Sequence, residues 1–379
     1  MKKLLVDIAR AVLVALYALL RRLPTRPRIV CISRQSDAEP VDFQLIRAYI
    51  DRHHPDYETV VLAKALKSPV RYLPHMIRQL YYIATSRAVV LDSYCIVVGL
   101  LAGRLRVPVV QLWHAMGNMK KFGYADLDEP EGRSSETARL LGMHRGYDSI
   151  VISSMSFAAD YAAGFGCDPA VFFESPLPKA DLLVEPALVA RERARVLAAY
   201  PQLDGARTGK RTIVYAPTFR RTPAPNEAQA MRALLACVDF DRYELVFMPH
   251  PVSDQRIDDP RIVQNRDRAL NMLYAADIVV SDYSTVIYEA GLLGAPVYLY
   301  AYDWDTYAEK RSLNLDIWRD VPAFCTADAR ALMDAIDADA FDAQAYARFI
   351  RQNIALPEEG TCTGRIVGHI LGLIRPLSS

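Results

Sequence analysis

The sequence predicts a doubly wound α/β protein of two Rossmann-like domains facing a central cleft, preceded by an amphipathic helix. Three observations carry this. At 379 residues the chain exceeds one ordinary core and suits two domains of roughly 150 residues each. Short apolar, β-rich runs alternate with segments long enough for a helix, the pattern of a parallel sheet buried on both faces. The alternation pauses once, at the proline-rich stretch 175–186 (SPLPKADLLVEP), and then resumes.

The first element is residues 1–24. Lys2 and Lys3 precede an apolar stretch, 11–20, that ends at Arg21, Arg22 and Pro24. Such a run is too short to cross a hydrocarbon core, which needs about 20 residues. Wound as a helix, it gathers Lys3, Asp7, Arg10 and Arg21 near one face, while Leu4, Leu5, Ile8, Val12, Leu16 and Leu19 cover much of the rest. That pattern favours a helix lying in a membrane interface over one packed on the protein's own core. A secretory signal is disfavoured because the run leads into Arg-Arg-Leu-Pro instead of a small-residue cleavage site. Strands follow at 28–33, 59–62, 88–91, 108–112 and 149–152 in a first domain, 25–177. A second domain, 178–340, has strands at 211–215, 243–247, 278–281 and 296–300. Residues 341–379 read as helices that pack back on the first domain.

Composition narrows the function. Lys plus Arg (45) nearly cancel Asp plus Glu (44), so no whole-protein field points to nucleic acid and any anion site is local. The six cysteines are scattered without Cys-x-x-Cys or metal-ligand spacing, which speaks against zinc and disulfides and for a reducing, cytoplasmic setting.

Ligands of open α/β sheets bind beyond the carboxyl ends of the strands, and four motifs lie there. In 111–123, QLWHAMGNMKKFG, a strand runs into His114, suited to general-base work near neutral pH, with Lys120 and Lys121 able to hold a phosphate; a histidine that only holds a loop, with solvated lysines, explains the run equally well. In VYAPTFR, proline ends the strand and Thr218 and Arg220 project toward a possible anion; a plain strand end explains them equally well. In FMPHP, His250 sits between two prolines, a restrained donor for a phosphate oxygen. The fourth, ADIVVSDYSTVIYEAGLLGAP, sets Ser281, Asp282, Ser284 and Thr285 at the start of a helix, where hydroxyls and free backbone N–H groups suit a phosphate. Glu289, one turn on, suits ribose hydroxyls or solvent. Asp303-Trp-Asp305 has metal-motif spacing, but its aromatic surroundings suggest a packed loop that carries Arg311 toward the cleft. No metal site is assigned.

Taken in order, WHAMGNMKKFG, YAPTFR, HP, SDYSTVIYEAGLLGAPVYLYAYD and KRSLNLD resemble the CDP-glycerol glycerophosphotransferase family of teichoic acid synthesis over residues 85–320. The resemblance implies a GT-B-like fold with its donor site in the second domain. It also implies transfer of glycerol phosphate from CDP-glycerol to a hydroxyl of a polyprenyl-diphosphate-linked saccharide, with release of CMP. By position, His114 matches the base, His250 and Asp282 match donor-side catalytic residues, Ser281, Ser284 and Thr285 match a phosphate cradle, and Arg311 a phosphate contact. No cofactor is implied, and a divalent-metal requirement stays open. Polymerases of the family carry Trp-His-Gly-Thr-Pro where this chain has Trp-His-Ala-Met-Gly, which is closer to the primase branch that makes a single addition. The stretch 175–181 lacks the glycine and arginine of the family's Gly-x-Pro-Arg-x-Asp.

The expected setting is the cytoplasmic face of the cell membrane, with the protein peripheral on an anionic surface. Competing readings are a polymerase or ribitol phosphate transferase of the same family, a GT-B glycosyltransferase using a nucleotide sugar, and a membrane-tethered nucleotide-binding subunit without activity. The retained histidines and the Ser-Asp-Tyr-Ser-Thr cluster favour an enzyme.

Overall fold

The computed structural model describes residues 2–220, 222–250, 253, 255–265 and 271–375; Pro251 and the side chain of Lys2, both used in the sequence argument, lie outside them. The chain forms two compact units, one of residues 1–115, 121–181 and 355–379, the other of 116–120 and 182–354.

The first unit is built on a parallel sheet of β1 (Arg28–Ser33), β2 (Glu58–Ala63), β3 (Ala88–Leu91), β4 (Val109–Gln111), β5 (Ser149–Ile152) and β6 (Phe172–Glu174), in the order β2-β1-β3-β4-β5-β6. Side chains alternate between two apolar layers, as the strand period of two requires. Val30, Ile32, Val89, Leu91 and Val109 point into one layer, with residues of helices α1 (Lys2–Leu20) and α3 (Pro69–Thr85). Ile29, Cys31, Val90 and Val110 point into the other, with residues of α2 (Val41–His53) and of the helix Cys362–Gly372. That last helix is pinned at its N-terminus by Asp181, whose carboxylate accepts from the Cys362 and Thr363 amides at 2.7 and 2.9 Å.

One flank of α1 is packed and the other is bare. Tyr17 is buried, Leu13, Val14 and Leu20 pack against the core, and Arg10 donates to the Leu140 carbonyl at 2.7 Å. Leu4, Leu5, Ile8, Val12, Leu16 and Leu19 stay exposed, Leu4 to 64%. The helix α3, which packs beside α1, adds exposed Val70, Leu73 and Ile77. Among the described residues no helix is long and apolar enough to cross a membrane.

The second unit repeats the plan with β7 (Arg211–Tyr215), β8 (Tyr243–Phe247), β9 (Ile262–Gln264), β10 (Ile278–Ser281), β11 (Val297–Tyr300) and β12 (Phe324–Thr326), all parallel, in the order β12-β11-β10-β7-β8-β9. The C-terminal segment does not act as one piece, contrary to the boundary expected at 341. The helix Ala343–Asn353 belongs to this unit, where Tyr346 donates to the Ile287 carbonyl at 3.0 Å, and the chain returns to the first unit from residue 355.

In each sheet the strand order reverses beside the first strand, between β1 and β3 and between β7 and β10. Such switch points leave a crevice at the carboxyl ends of the strands, where α/β proteins bind ligands.

Candidate active site

At the switch point of the second unit the turns after β7 and β10 are locked together by one carboxylate. Asp282 is fully buried; its Oδ1 accepts from the amides of Thr218 and Tyr283 at 2.8 and 2.7 Å, and its Oδ2 from Arg220 Nη2 at 2.9 Å. Arg220 also forks onto Asp303, with Nε and Nη2 at 2.7 and 2.8 Å from its two oxygens, and gives Nη1 to the Thr218 carbonyl at 3.0 Å. Rings of Tyr283, Tyr302 and Tyr307 lie 5.1–5.7 Å from the guanidinium carbon. Burial opposes the guanidinium's charge, but Asp282 and then Asp303 outweigh it and hold its proton more tightly than usual.

Arg220 and Asp282, expected to touch ligand, are therefore spent on each other and on the backbone. Ser281 is similarly engaged, its buried hydroxyl donating to the Ala216 carbonyl at 2.8 Å. Asp303, half of the metal-like motif, is the partner that sequence reading missed.

Around this locked centre lie further polar groups, half-buried except for His250, which is exposed. Ser284 Oγ accepts weakly from the Val286 amide at 3.4 Å, and Thr285 opens the helix Val286–Leu292 without its hydroxyl capping it. Lys120 Nζ is 3.4 Å from the Thr218 hydroxyl and 5.5 Å from the centre of the Tyr307 ring. The His250 ring lies 5.8 Å from Phe219. Partial desolvation, and then the Lys120 charge, hold its pKa below the ordinary histidine value. Glu289 and Arg311 are half-buried at the helix Val286–Leu292 and just beyond the helix Trp304–Lys310.

Lys120 belongs here because the segment Met116–Lys120 is held by this unit. Asn314 donates to the Met119 and Lys120 carbonyls, Tyr288 to the Asn118 carbonyl, and Lys120 forms an antiparallel bridge with Leu313. Gly117 has φ +74°, and a Cβ there would come within 2.4 Å of the Tyr288 ring, so glycine is needed on both counts. Lys121, by contrast, is exposed and belongs to the first unit.

In the first unit His114 follows β4. Its Nδ1 lies 3.1 Å from the Asp92 carbonyl oxygen. A carbonyl only accepts, so in the neutral ring Nδ1 carries the proton and Nε2 is the basic nitrogen. The imidazole is exposed and packs on Trp113, ring centres 4.3 Å apart. Trp113 has φ +64°, a left-handed conformation that costs a bulky residue about 1–3 kcal/mol. Gln111 maintains it: Oε1 accepts from the Trp113 amide at 2.9 Å, and Nε2 donates to the Ser93 carbonyl at 3.3 Å. The Asp92 side chain is buried with Oδ1 unpartnered, and burial, only partly offset by the Ser33 and Ser93 hydroxyls, pushes its carboxyl up to about 6. Asp92 and Gln111 gave no sequence signal beyond their place at strand ends.

Comparison with known proteins places this arrangement. The solved structure of the wall teichoic acid polymerase TagF superposes with a TM-score of 0.74 at 16% identity, covering 98% of each chain, a likeness of fold. The teichoic acid poly(ribitol-phosphate) polymerase of Bacillus spizizenii is 27% identical over 324 residues, 81% of this chain and 50% of that protein. The teichoic acid glycerol-phosphate primase of Bacillus subtilis is 27% identical over 281 residues, 71% of this chain and 69% of that protein. The chain thus spans half the length of the first relative and about two thirds of the second. With the model of one family matching residues 15–372, and the expected strand-end motifs inside that span, the protein belongs to the CDP-glycerol:poly(glycerophosphate) glycerophosphotransferase family.

Proposed function

We propose that the protein transfers glycerol phosphate from CDP-glycerol to a hydroxyl of a polyprenyl-diphosphate-linked saccharide. The observation that carries this reading is an exposed histidine on a strained turn, with Nδ1 tied to a carbonyl so that Nε2 serves as base. In the proposed step Nε2 of His114 takes the acceptor hydroxyl's proton as its oxygen bonds to the β-phosphorus. The bond from that phosphorus to the bridging oxygen breaks, and CMP leaves with the electron pair. Such transfer depends on positioning and charge stabilisation. The donor phosphates are assigned to Ser284, Thr285, Lys120 and His250, with Arg311 and Lys121 as further phosphate contacts and Glu289 toward the ribose. Asp282, Arg220, Ser281 and the Thr218 backbone are assigned to holding the two turns in place.

Single addition is favoured by the run after His114, which departs from the polymerase pattern. Docking is assigned to the bare flanks of α1 and α3, which would rest on an anionic cytoplasmic membrane face. Mass analysis of the product formed from CDP-glycerol and a lipid-linked disaccharide tests the reaction. One glycerol phosphate per acceptor is expected; a ladder would make the protein a polymerase, and turnover only with a nucleotide sugar would overturn the reading.

A further inference from the structure

The carboxyl ends of β1 and β2 set two cations side by side. Ser33 and Ala63 are register partners and the Lys64 amide donates to the Ser33 carbonyl at 3.1 Å, so Arg34 and Lys64 leave the sheet at neighbouring positions. The helix α3 brings His75 to the same place. Desolvation lowers its proton affinity first, and Lys64 and Arg78 add to the effect. Its ring lies 5.0 Å from that of Tyr72, a residue that also senses the Arg34 charge.

The nearby carboxylates are already used: Glu58 pairs with Arg28, Glu39 with Arg47 and Asp37 with Lys67. Among the described residues Arg34 and Lys64 have no carboxylate at ion-pairing distance, and the Arg34 guanidinium rests over the Tyr94 ring at 5.3 Å. His75 adds a buried Nε2 with no hydrogen-bond partner, a costly state that a ligand can relieve. Asp92 borders the same crevice; with its carboxyl pushed up to about 6 by burial, it is uncharged only below that pH and opposes an anion above it. Another flank of the same helix, turned away from His75 by the helical period, exposes Val70, Leu73 and Ile77, Val70 to 81%. Two cations beside a buried nitrogen that lacks a partner match an anionic group rich in acceptor oxygens, such as a diphosphate.

We infer that Arg34, Lys64 and His75 form the subsite for the diphosphate of the lipid-linked acceptor. This rests on the acceptor proposed above and adds where its anionic group is held. The Asp92 carbonyl that fixes His114 belongs to the same β1–β3 crevice, so the subsite would anchor the acceptor on the side of the base.

Anionic phospholipid headgroups share this chemistry, so the test separates the two sources. Equilibrium binding of geranyl diphosphate to the full chain is measured without vesicles, with geraniol as the control. Arg34→Gln and Lys64→Gln are each expected to weaken binding about tenfold, the size of one lost charge-assisted hydrogen bond. His75→Gln should weaken it less, and CDP-glycerol binding should be unchanged in all three. The inference is overturned if the wild-type chain does not discriminate geranyl diphosphate from geraniol. It is equally overturned if both cation variants bind geranyl diphosphate normally, or lose only their affinity for anionic vesicles. Because the readout is binding, absent CMP release would count against the proposed reaction and not against the subsite.

Discussion

The two switch points contain similar residue types used in opposite ways. In the second unit Asp282, Asp303 and the side chain of Arg220 are buried and satisfy one another through short hydrogen bonds. In the first unit His114 is exposed, Trp113 is strained, and among the described residues Arg34 and Lys64 have no carboxylate at ion-pairing distance. A buried charge held by several hydrogen bonds makes a turn rigid and leaves little of itself for a substrate. An exposed imidazole on a strained support is left available to a substrate. The difference is one of partners, which residue type alone does not reveal.

The largest effect expected from this contrast is on stability. Arg220→Ala leaves two buried carboxylates facing each other and should cost about 3–5 kcal/mol, read from the denaturant midpoint. A loss below about 1 kcal/mol, the range of an exposed pair, would mean the triad is not the lock described. A smaller effect concerns the bare flank of α1. Leu5→Ser with Ile8→Ser should lower affinity for anionic vesicles by tenfold or more, since each buried aliphatic side chain contributes about 1.5–3 kcal/mol, while thermal stability stays unchanged. Sedimentation with vesicles as in the wild type would move the docking to α3. These substitutions report more cleanly than deleting residues 1–23, because the deletion would also strip Tyr17 from the core.

Much of the fold was legible because central strands of parallel sheets are continuous apolar runs. Residues 28–33, 88–91, 149–152, 211–215, 243–247 and 278–281 are strands with the boundaries expected. The strands not foreseen, β6, β9 and β12, are three residues each and lie at sheet edges, where one-sided pairing asks less of the sequence. The local turn chemistry marked His114 and the Ser-Asp-Tyr-Ser-Thr cluster as strand-end groups. What stayed hidden is long-range. Arg220 meets Asp303 83 positions away, and Met116–Lys120 leaves the first unit to join the second. Neither follows from spacing or periodicity, and both change what Arg220, Asp282 and Lys120 can do.

In the reaction proposed for this protein the exposed His114 does the chemistry. His114→Asn removes the basic nitrogen while keeping a donor that can reach the Asp92 carbonyl. CMP release from CDP-glycerol with a lipid-linked acceptor is therefore expected to fall by about 100- to 10,000-fold, the contribution of a general base, with thermal stability and CDP-glycerol affinity unchanged. Near-normal CMP release by this variant would contradict the account.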